Sequence, residues 1–365
     1  MRSSDELLLH YCCALAWQHQ TLALPNPSVG AIVVAQNGEI LATGVHIIAG
    51  SPHAEVLAIQ AAYYKLTGDK QILNLTKSED IHHYLLSHHQ GIFQQCALYV
   101  SLEPCNHQGK TPPCAALVAA LKFAKVCIAM CESHSLAAGG LTHLLTHNLN
   151  AFYVQSPAVQ HIAQSLLLPF HTLRNKGRFT LFKLAKRLDG SYKNGHISHQ
   201  DAQIFTHNQR SVCDYICISG NTLRHDNPLL NARYAIPPYN SLATPQVFIL
   251  SRIQKSLESL KASTCADSQD SYRVSKMLET SYNALKHRIH FSDNPREIEN
   301  LQGFVIIEGG FELLATLRKN IDMLLIHQSL EAQHAEGEYL THSFSGRFTL
   351  LHQMTLGEDI ALWLQ

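Results

Sequence analysis

Apolar positions recur at helical spacing over residues 7–19 (LLLHYCCALAWQH), and the turn PNPSVG at 25–30 then leads into a short apolar run, GAIVVAQ, that reads as a strand. Asn37-Gly38 reverses the chain into EILATGVH, the return half of a hairpin. A helix is expected over 54–65, after Pro52-His53, a second strand over 96–102 (CALYVSL), and a further helix after Pro113. The intervening segment, 68–94, is polar and carries His82, His83, His88 and His89. No cysteine or carboxylate joins these histidines at a ligand spacing, so the segment reads as a surface loop or short helix with solvated imidazoles.

Apolar runs resume at 122–130 (KFAKVCIAM), 177–185 (GRFTLFKLA), 214–220 (DYICISG), 246–251 (QVFILS) and 303–310 (GFVIIEGG). Strand signals that are mainly apolar, with helical stretches between several of them, point to a second α/β domain whose parallel strands are covered on both faces. The run 255–288, rich in Ser, Thr, Asp and Gln, reads as an excursion from it. A chain of 365 residues exceeds what one core usually serves, and two domains are expected, 1–150 and 151–365.

Composition narrows the choice of function. Lys+Arg and Asp+Glu are both 28, which gives no general attraction for nucleic acid or an anionic membrane and favours small substrates. The polar first six residues match no secretory signal, and no stretch approaches a membrane span. Ten cysteines without such a signal read as reduced thiols of a cytoplasmic protein, some of them in a metal site.

One constellation carries chemistry. Pro52-His53-Ala54-Glu55 precedes a helix, and Glu103-Pro104-Cys105 is followed nine positions later by Cys114, just before another. One imidazole and two thiolates make three ligands for a tetrahedral Zn²⁺ and leave its fourth position open for water, as a catalytic zinc site requires. Glu55, two residues beyond His53, is placed to shuttle protons without being a ligand. HxE and PC at helix starts form the pattern of hydrolytic zinc deaminases of nucleobases. Any one of these residues could be a core His or Cys, but their joint placement is not expected by chance.

Detail selects among deaminases. Eight residues separate the two cysteines here, where the general pattern has two. EPCNHQGKTPPC, together with PNPSVG and GVHIIAGSPHAE, closely resembles the deaminase half of the bifunctional riboflavin-biosynthesis deaminase/reductase family, with Asn106 in place of the usual serine. The resemblance implies a cytidine-deaminase-like three-layer domain in which Asn26 contacts the pyrimidine and His107 and Lys110 line the pocket near the substrate phosphate. On residue chemistry alone, Asn26 is equally a turn residue and Lys110 a solvated loop charge.

The same resemblance implies an NADPH-dependent, dihydrofolate-reductase-like α/β domain in the second half. LFKLAKRLDG at 181–190 matches the family's opening strand, where Ala185 packs against NADPH. SGNTLRHDNPLLNAR at 219–233 matches a segment in which Thr222 and Asp226 contact NADPH while Leu230 and Arg233 contact the ribosyl phosphate. Arg210 falls where the family binds the substrate phosphate, a role suited to a bidentate guanidinium. Ser251 is implied at the cofactor, and Glu308-Gly309-Gly310 matches the cofactor loop, with Glu308 toward substrate and Gly309, Gly310 and Thr316 around NADPH. Taken singly, Thr222 is also a helix cap, Asp226 a turn acid and the arginines surface charges.

The second half departs from the family in three places. The stretch 190–197 is shortened and lacks a serine and a tryptophan, Phe311 stands where proline is common, and HQSLEAQHAEGE has lost most of its strand pattern. The resemblance implies sequential deamination and side-chain reduction of a diamino-ribosylamino-pyrimidinone 5′-phosphate by a homo-oligomer, a dimer or tetramer. Two other readings stand beside it: a deaminase whose second half is a degenerate scaffold, and a polynucleotide-editing deaminase. The balanced charge and two tryptophans disfavour the last.

Overall fold

The computed structural model describes residues 3–132, 138–192, 195–226, 228–242, 244–252, 288–332 and 347–365. The chain divides into two compact units, Met1–Phe170 and His171–Gln365.

The first unit opens with α1 (Ser4–Trp17), which starts earlier than the apolar pattern indicates because Ser3 and Glu6 form a reciprocal capping box. Strands β1 (Gly30–Val34), β2 (Ile40–Val45), β3 (Ala97–Val100), β4 (Lys125–Ile128) and β5 (Ala151–Tyr153) form one sheet in the order β2-β1-β3-β4-β5. β1 runs antiparallel to both neighbours, and β3, β4 and β5 are parallel. The apolar run at 122–130 therefore belongs to this sheet and not to the second domain. β5, which begins just past the expected boundary at 150, pairs with β4.

Glycines at two positions set the layers. A Cβ on Gly30 would lie 2.1 Å from the Cys12 carbonyl oxygen in α1, and one on Gly44 would lie 2.2 Å from the Ala54 carbonyl oxygen in α2 (Ala54–Thr67). Gly44 pairs with Ala31, the next residue after Gly30, so the two helices press on opposite faces of the sheet. All of β1 is buried between them, as its unbroken apolar run requires.

The histidine-rich segment is helical: a 3₁₀ turn at Lys70–Asn74 is followed by α3 (Ser78–His88). Ile81 and Leu85, one turn apart, are fully buried in the core that includes Ile59 of α2, each worth roughly 1.5–3 kcal/mol of burial. His82 is 4% exposed, which corrects the expectation of solvated imidazoles, while His83 and His88 do face solvent. A stripe of three residues is too short to show as periodicity. The unit is completed by α4 (Cys114–Leu121), α5 (Gly140–Thr146) and the start of α6 (Pro157–Lys176).

The second unit is built on an eight-stranded sheet: β6 (Arg178–Lys186), β7 (Tyr215–Ser219), β8 (Gln246–Leu250), β9 (Ile289–Ser292), β10 (Gly303–Glu308), β11 (Met323–Ser329), β12 (Leu350–Leu356) and β13 (Asp359–Leu364). In the order β12-β13-β11-β6-β10-β7-β8-β9, the six strands from β11 to β9 are parallel, β13 pairs antiparallel with β11, and β12 pairs antiparallel with β13. β6, β7, β8 and β10 coincide with apolar runs in the sequence; their helices are α7 (Gln200–Val212), α8 (Gly220–Asp226) and α9 (Phe311–Leu317). The weak signal at 327–338 resolves into the end of β11 up to Ser329; its residues 333–338, like 255–287, lie outside the described residues.

The closing hairpin is clasped to α7 by charge. Asp359, fully buried, accepts from the His199 backbone N–H at 2.7 Å and faces His199 Nδ1 at 2.8 Å, while Nε2 lies 3.3 Å from Glu331 and 3.6 Å from Glu358. The hydrogen bond with Asp359, then the other carboxylates, raise the His199 pKa above its ordinary value. A raised histidine pKa stabilises the fold fully below the unfolded value near 6.5, and that contribution fades as pH rises through the folded value. The melting-temperature gap between wild type and His199→Gln is therefore expected to be widest near pH 5.5 and to narrow toward pH 9. A gap independent of pH across melts in that range would show that the imidazolium charge contributes nothing.

Candidate functional site

In the first unit, His53 caps the N-terminus of α2 with extended backbone, Cys114 opens α4, and Cys105 lies in the loop after β3. His53 Nδ1 is 3.6 Å from Cys105 Sγ and 3.3 Å from Cys114 Sγ, and the three donor atoms lie within 4.8 Å of one another. Tetrahedral zinc with ordinary bond lengths places N and S about 3.6 Å apart, close to both of the N–S distances here. The Cys114 backbone N–H also donates to Cys105 Sγ at 3.4 Å, in keeping with the positive end of a helix facing a thiolate. Hydrogen bonding from the Cys114 thiol, with His53 adding to it, holds Cys105 far below the usual thiol range.

Glu55, in the first turn of α2, is 4% exposed, and burial pushes its carboxyl up to about 7 against the pull of His53. Asn26 is half-buried, and its amide Nδ2 meets His46 Nε2 at 3.2 Å, while His46 Nδ1 faces the Pro52 carbonyl at 3.2 Å. Burial, with His53 beside it, takes His46 down to about 4 and keeps it neutral, so Nδ1–H donates to Pro52 and Nε2 accepts from Asn26. This relay aims Asn26 from the same loop that carries His53. His107 and Lys110 both lie on the exposed side of the loop between the cysteines.

Three residues beyond the sequence reading help build this site. His46 stands within the motif GVHIIAG, and Thr111 Oγ1 reaches His53 Nε2 at 3.3 Å. Glu103, whose carboxylate accepts from the backbone N–H groups of Glu132 and Leu141 and from Tyr153 OH, anchors the loop that presents Cys105. The sequence signal for Glu103 and Thr111 was their place inside EPC and GKTPPC; nothing local separates such residues from ordinary loop polars.

In the second unit the expected residues cluster at the carboxyl ends of β6, β7, β8 and β10, the edge where parallel α/β sheets bind ligands. Ala185 is half-buried near the end of β6. Thr222, in α8, has its Oγ1 3.0 Å from Ser219 Oγ, and Ser251 is buried so close to Gly220 that a Cβ there would lie 2.5 Å from its hydroxyl. Asp226 ends α8 and is exposed. Gly309 and Gly310 join β10 to α9, and added Cβ atoms would meet Leu313 at 2.7 Å and the Tyr192 ring at 2.3 Å. A side chain at either position would have to displace Leu313 or Tyr192. Thr316 is exposed and its hydroxyl donates to the Glu312 carbonyl in its own helix.

Arg210, expected at the substrate phosphate, is paired within the protein. Its Nε and NH2 donate to the two oxygens of Glu308 at 2.7 and 2.6 Å, and NH1 lies 3.3 Å from the Asn231 carbonyl. Glu308 is held at about 2: burial raises it, but Arg210 overrides that, with Lys183 adding to the effect. A buried carboxylate must be paired, and this one takes the guanidinium fork. Arg233 is exposed, with NH1 on Asn231 Oδ1 at 3.2 Å and its guanidinium 4.6 Å from the Tyr234 ring centre, so Asn231 contacts both arginines. Leu230 is buried with φ +47°. Lys183, unassigned by the sequence reading, is in register with Glu308 across β6 and β10, and burial lowers its pKa.

Comparison with known proteins agrees with this division. Residues 2–130 match the family model of the cytidine and deoxycytidylate deaminase zinc-binding region. Over 234 residues the chain is 32% identical to riboflavin biosynthesis protein RibD of Synechocystis, covering 62% of this chain and 55% of that protein. RibD of Bacillus amyloliquefaciens is 30% identical over 236 residues, 63% of this chain and 55% of the relative. The chain thus spans little more than half the length of the curated relatives it matches. Among solved structures, Acinetobacter baumannii RibD (22% identity, TM-score 0.56) and a Thermotoga maritima diaminohydroxyphosphoribosylaminopyrimidine deaminase/5-amino-6-(5-phosphoribosylamino)uracil reductase (20%, TM-score 0.57) each cover 99% of this chain and 98% of their own. The fold is the two-domain α/β fold of these structures.

Proposed function

We propose that this chain, which groups with the RibD proteins in sequence and in fold, is a bifunctional enzyme of riboflavin biosynthesis: a zinc-dependent pyrimidine deaminase in its first unit and an NADPH-dependent reductase in its second. The convergence of His53 Nδ1, Cys105 Sγ and Cys114 Sγ, with the Glu55 carboxyl buried beside them, is the observation that carries it. The substrate proposed is the diamino-ribosylamino-pyrimidinone 5′-phosphate.

When bound, zinc supplies a Lewis acid that activates water near neutral pH. Glu55 would accept one proton of that water and deliver it to the ring nitrogen beside the amino-bearing carbon, then carry the water's second proton to the departing amino group, which leaves as ammonia while the carbonyl forms. Asn26, aimed by His46, holds the pyrimidine, while His107 and Lys110 at the loop surface meet the phosphate. In the second unit NADPH, when bound, supplies the hydride that converts ribosyl to ribityl. Ala185, Thr222, Asp226, Ser251, Gly309, Gly310 and Thr316 are proposed for the cofactor side. Glu308, Leu230, Arg210 and Arg233 are proposed for the substrate side, with Arg210 also holding Glu308 ionised. The polar ends of four parallel strands fit a dinucleotide there.

No described helix is long and apolar enough to cross a membrane. Nine described cysteines are free thiols, which suits a reducing cytoplasm, and assembly as a homo-oligomer rests on the resemblance. A coupled assay with the pyrimidine phosphate, following ammonia release and NADPH oxidation separately, tests the reading. Both signals are expected, in that order; ammonia without NADPH oxidation would reduce the second half to a scaffold, and neither would remove the proposal.

A further inference from the structure

We infer that Thr111 is a positioning residue for the metal centre: its hydroxyl holds the His53 imidazole with Nδ1 toward the ion. The inference rests on the zinc reading above and assigns a task to the long segment between the two cysteines.

A neutral imidazole binds a metal through the nitrogen without a proton, and the other nitrogen must then carry one. Nδ1 of His53 is the atom facing both sulfurs, so with the ion bound the proton belongs on Nε2. A buried N–H needs an acceptor. Thr111 Oγ1, 3.3 Å from Nε2 on a residue only 8% exposed, is that acceptor. The nearest competing imidazole is already committed, because His46, edge-on to His53 at 5.2 Å, uses one nitrogen on Asn26 and the other on Pro52.

The segment fixes Thr111 as closely as it fixes Cys114. Gly109 N–H donates to the Thr111 carbonyl at 3.2 Å, and two prolines of restricted φ then lead directly to Cys114 at the start of α4. Cys114 and Ala115 in turn donate to Cys105 Sγ and the Cys105 carbonyl. The segment thus joins both sulfur ligands to the group that orients the nitrogen ligand. Cysteines only two residues apart leave no room for an orienting residue between them, so the eight-residue spacing supplies the outer contact from the same loop as the ligands.

Partners of this kind are worth about 10–100-fold in metal affinity. In the full-length protein, Thr111→Val, which keeps the shape and deletes the hydroxyl, is expected to weaken Zn²⁺ binding by about that factor in competition with a chromophoric chelator. It is also expected to shift the visible absorption bands of the Co²⁺-substituted protein. Thr111→Ser, which keeps the oxygen, is expected to restore affinity and spectrum. If valine does not fold, as judged by circular dichroism, Thr111→Ala replaces it in the same comparison. Wild-type affinity and spectrum without the hydroxyl would overturn the inference, as would a serine variant as weak as valine. In both cases the zinc reading survives if wild type holds one tight Zn²⁺; wild type without zinc would remove both.

Discussion

Glu55→Gln is expected to slow ammonia release by roughly 10²–10⁴-fold while leaving one Zn²⁺ bound, the range associated with losing a positioned general acid–base. The amide fills the volume of the carboxylate and can neither accept the water's proton nor pass it on. Glu55 is two residues beyond His53 in the first turn of α2, so it sits at the ligand cluster without displacing a ligand. The substitution removes an ionisable group that is 4% exposed, so the fold is expected to tolerate it. Cys114→Ser is the matched control: it is expected to lose the metal and the activity together, because a hydroxyl is a poor replacement for thiolate. Measuring zinc content alongside ammonia release separates the two. Near-normal release by the glutamine variant would assign the proton transfer to another group.

How far the sequence reaches depends on whether a feature is local. Cys114, His53 and Glu55 were legible because each sits at a helix start, where backbone geometry dictates which way the side chain faces, whereas Cys105, in the loop after β3, was legible through its place in EPCNHQGKTPPC. The strands β7, β8 and β10 were legible because burial on both faces leaves a nearly continuous apolar run, and β6 because apolar residues outnumber the Thr180 and Lys183 that interrupt it. The terminal hairpin was not read: β13 alternates buried and half-buried residues, and it is recruited to the sheet by pairing with β11 and by the distant His199–Asp359 contact. Arg210 shows the same limit at the site. Its place in the sequence marked it as an anion-binding arginine, and only the long-range contact with Glu308, 98 residues away, shows which anion it holds.

That contact sets the second large effect. Arg210→Ala is expected to destabilise the second unit by roughly 3–5 kcal/mol, since removing one member of a buried ion pair leaves the other charge uncompensated. The Arg210 and Glu308 side chains are 12% and 15% exposed, so solvent does little to replace the lost guanidinium. Lys183, the nearby cation acting on Glu308, places the cost toward the lower end of that range. Replacing both partners, as Arg210→Met with Glu308→Leu, is expected to recover much of the loss, because the double change removes the orphaned charge. The pH dependence follows from Glu308. A carboxyl held at about 2 contributes stability that is fully present above its unfolded value near 4.3 and is lost as pH falls toward 2, so the wild-type advantage over the double variant should shrink across that interval. Reduction should fail in Arg210→Ala even where the protein remains folded, because Glu308 is no longer held ionised and in place. Ammonia release should persist, since every residue assigned to that step lies in the first unit. Denaturant melts of wild type, Arg210→Ala and the double variant, read with both activities, decide the matter: a cost below about 1 kcal/mol for Arg210→Ala would reduce the pair to a solvated contact of the surface type.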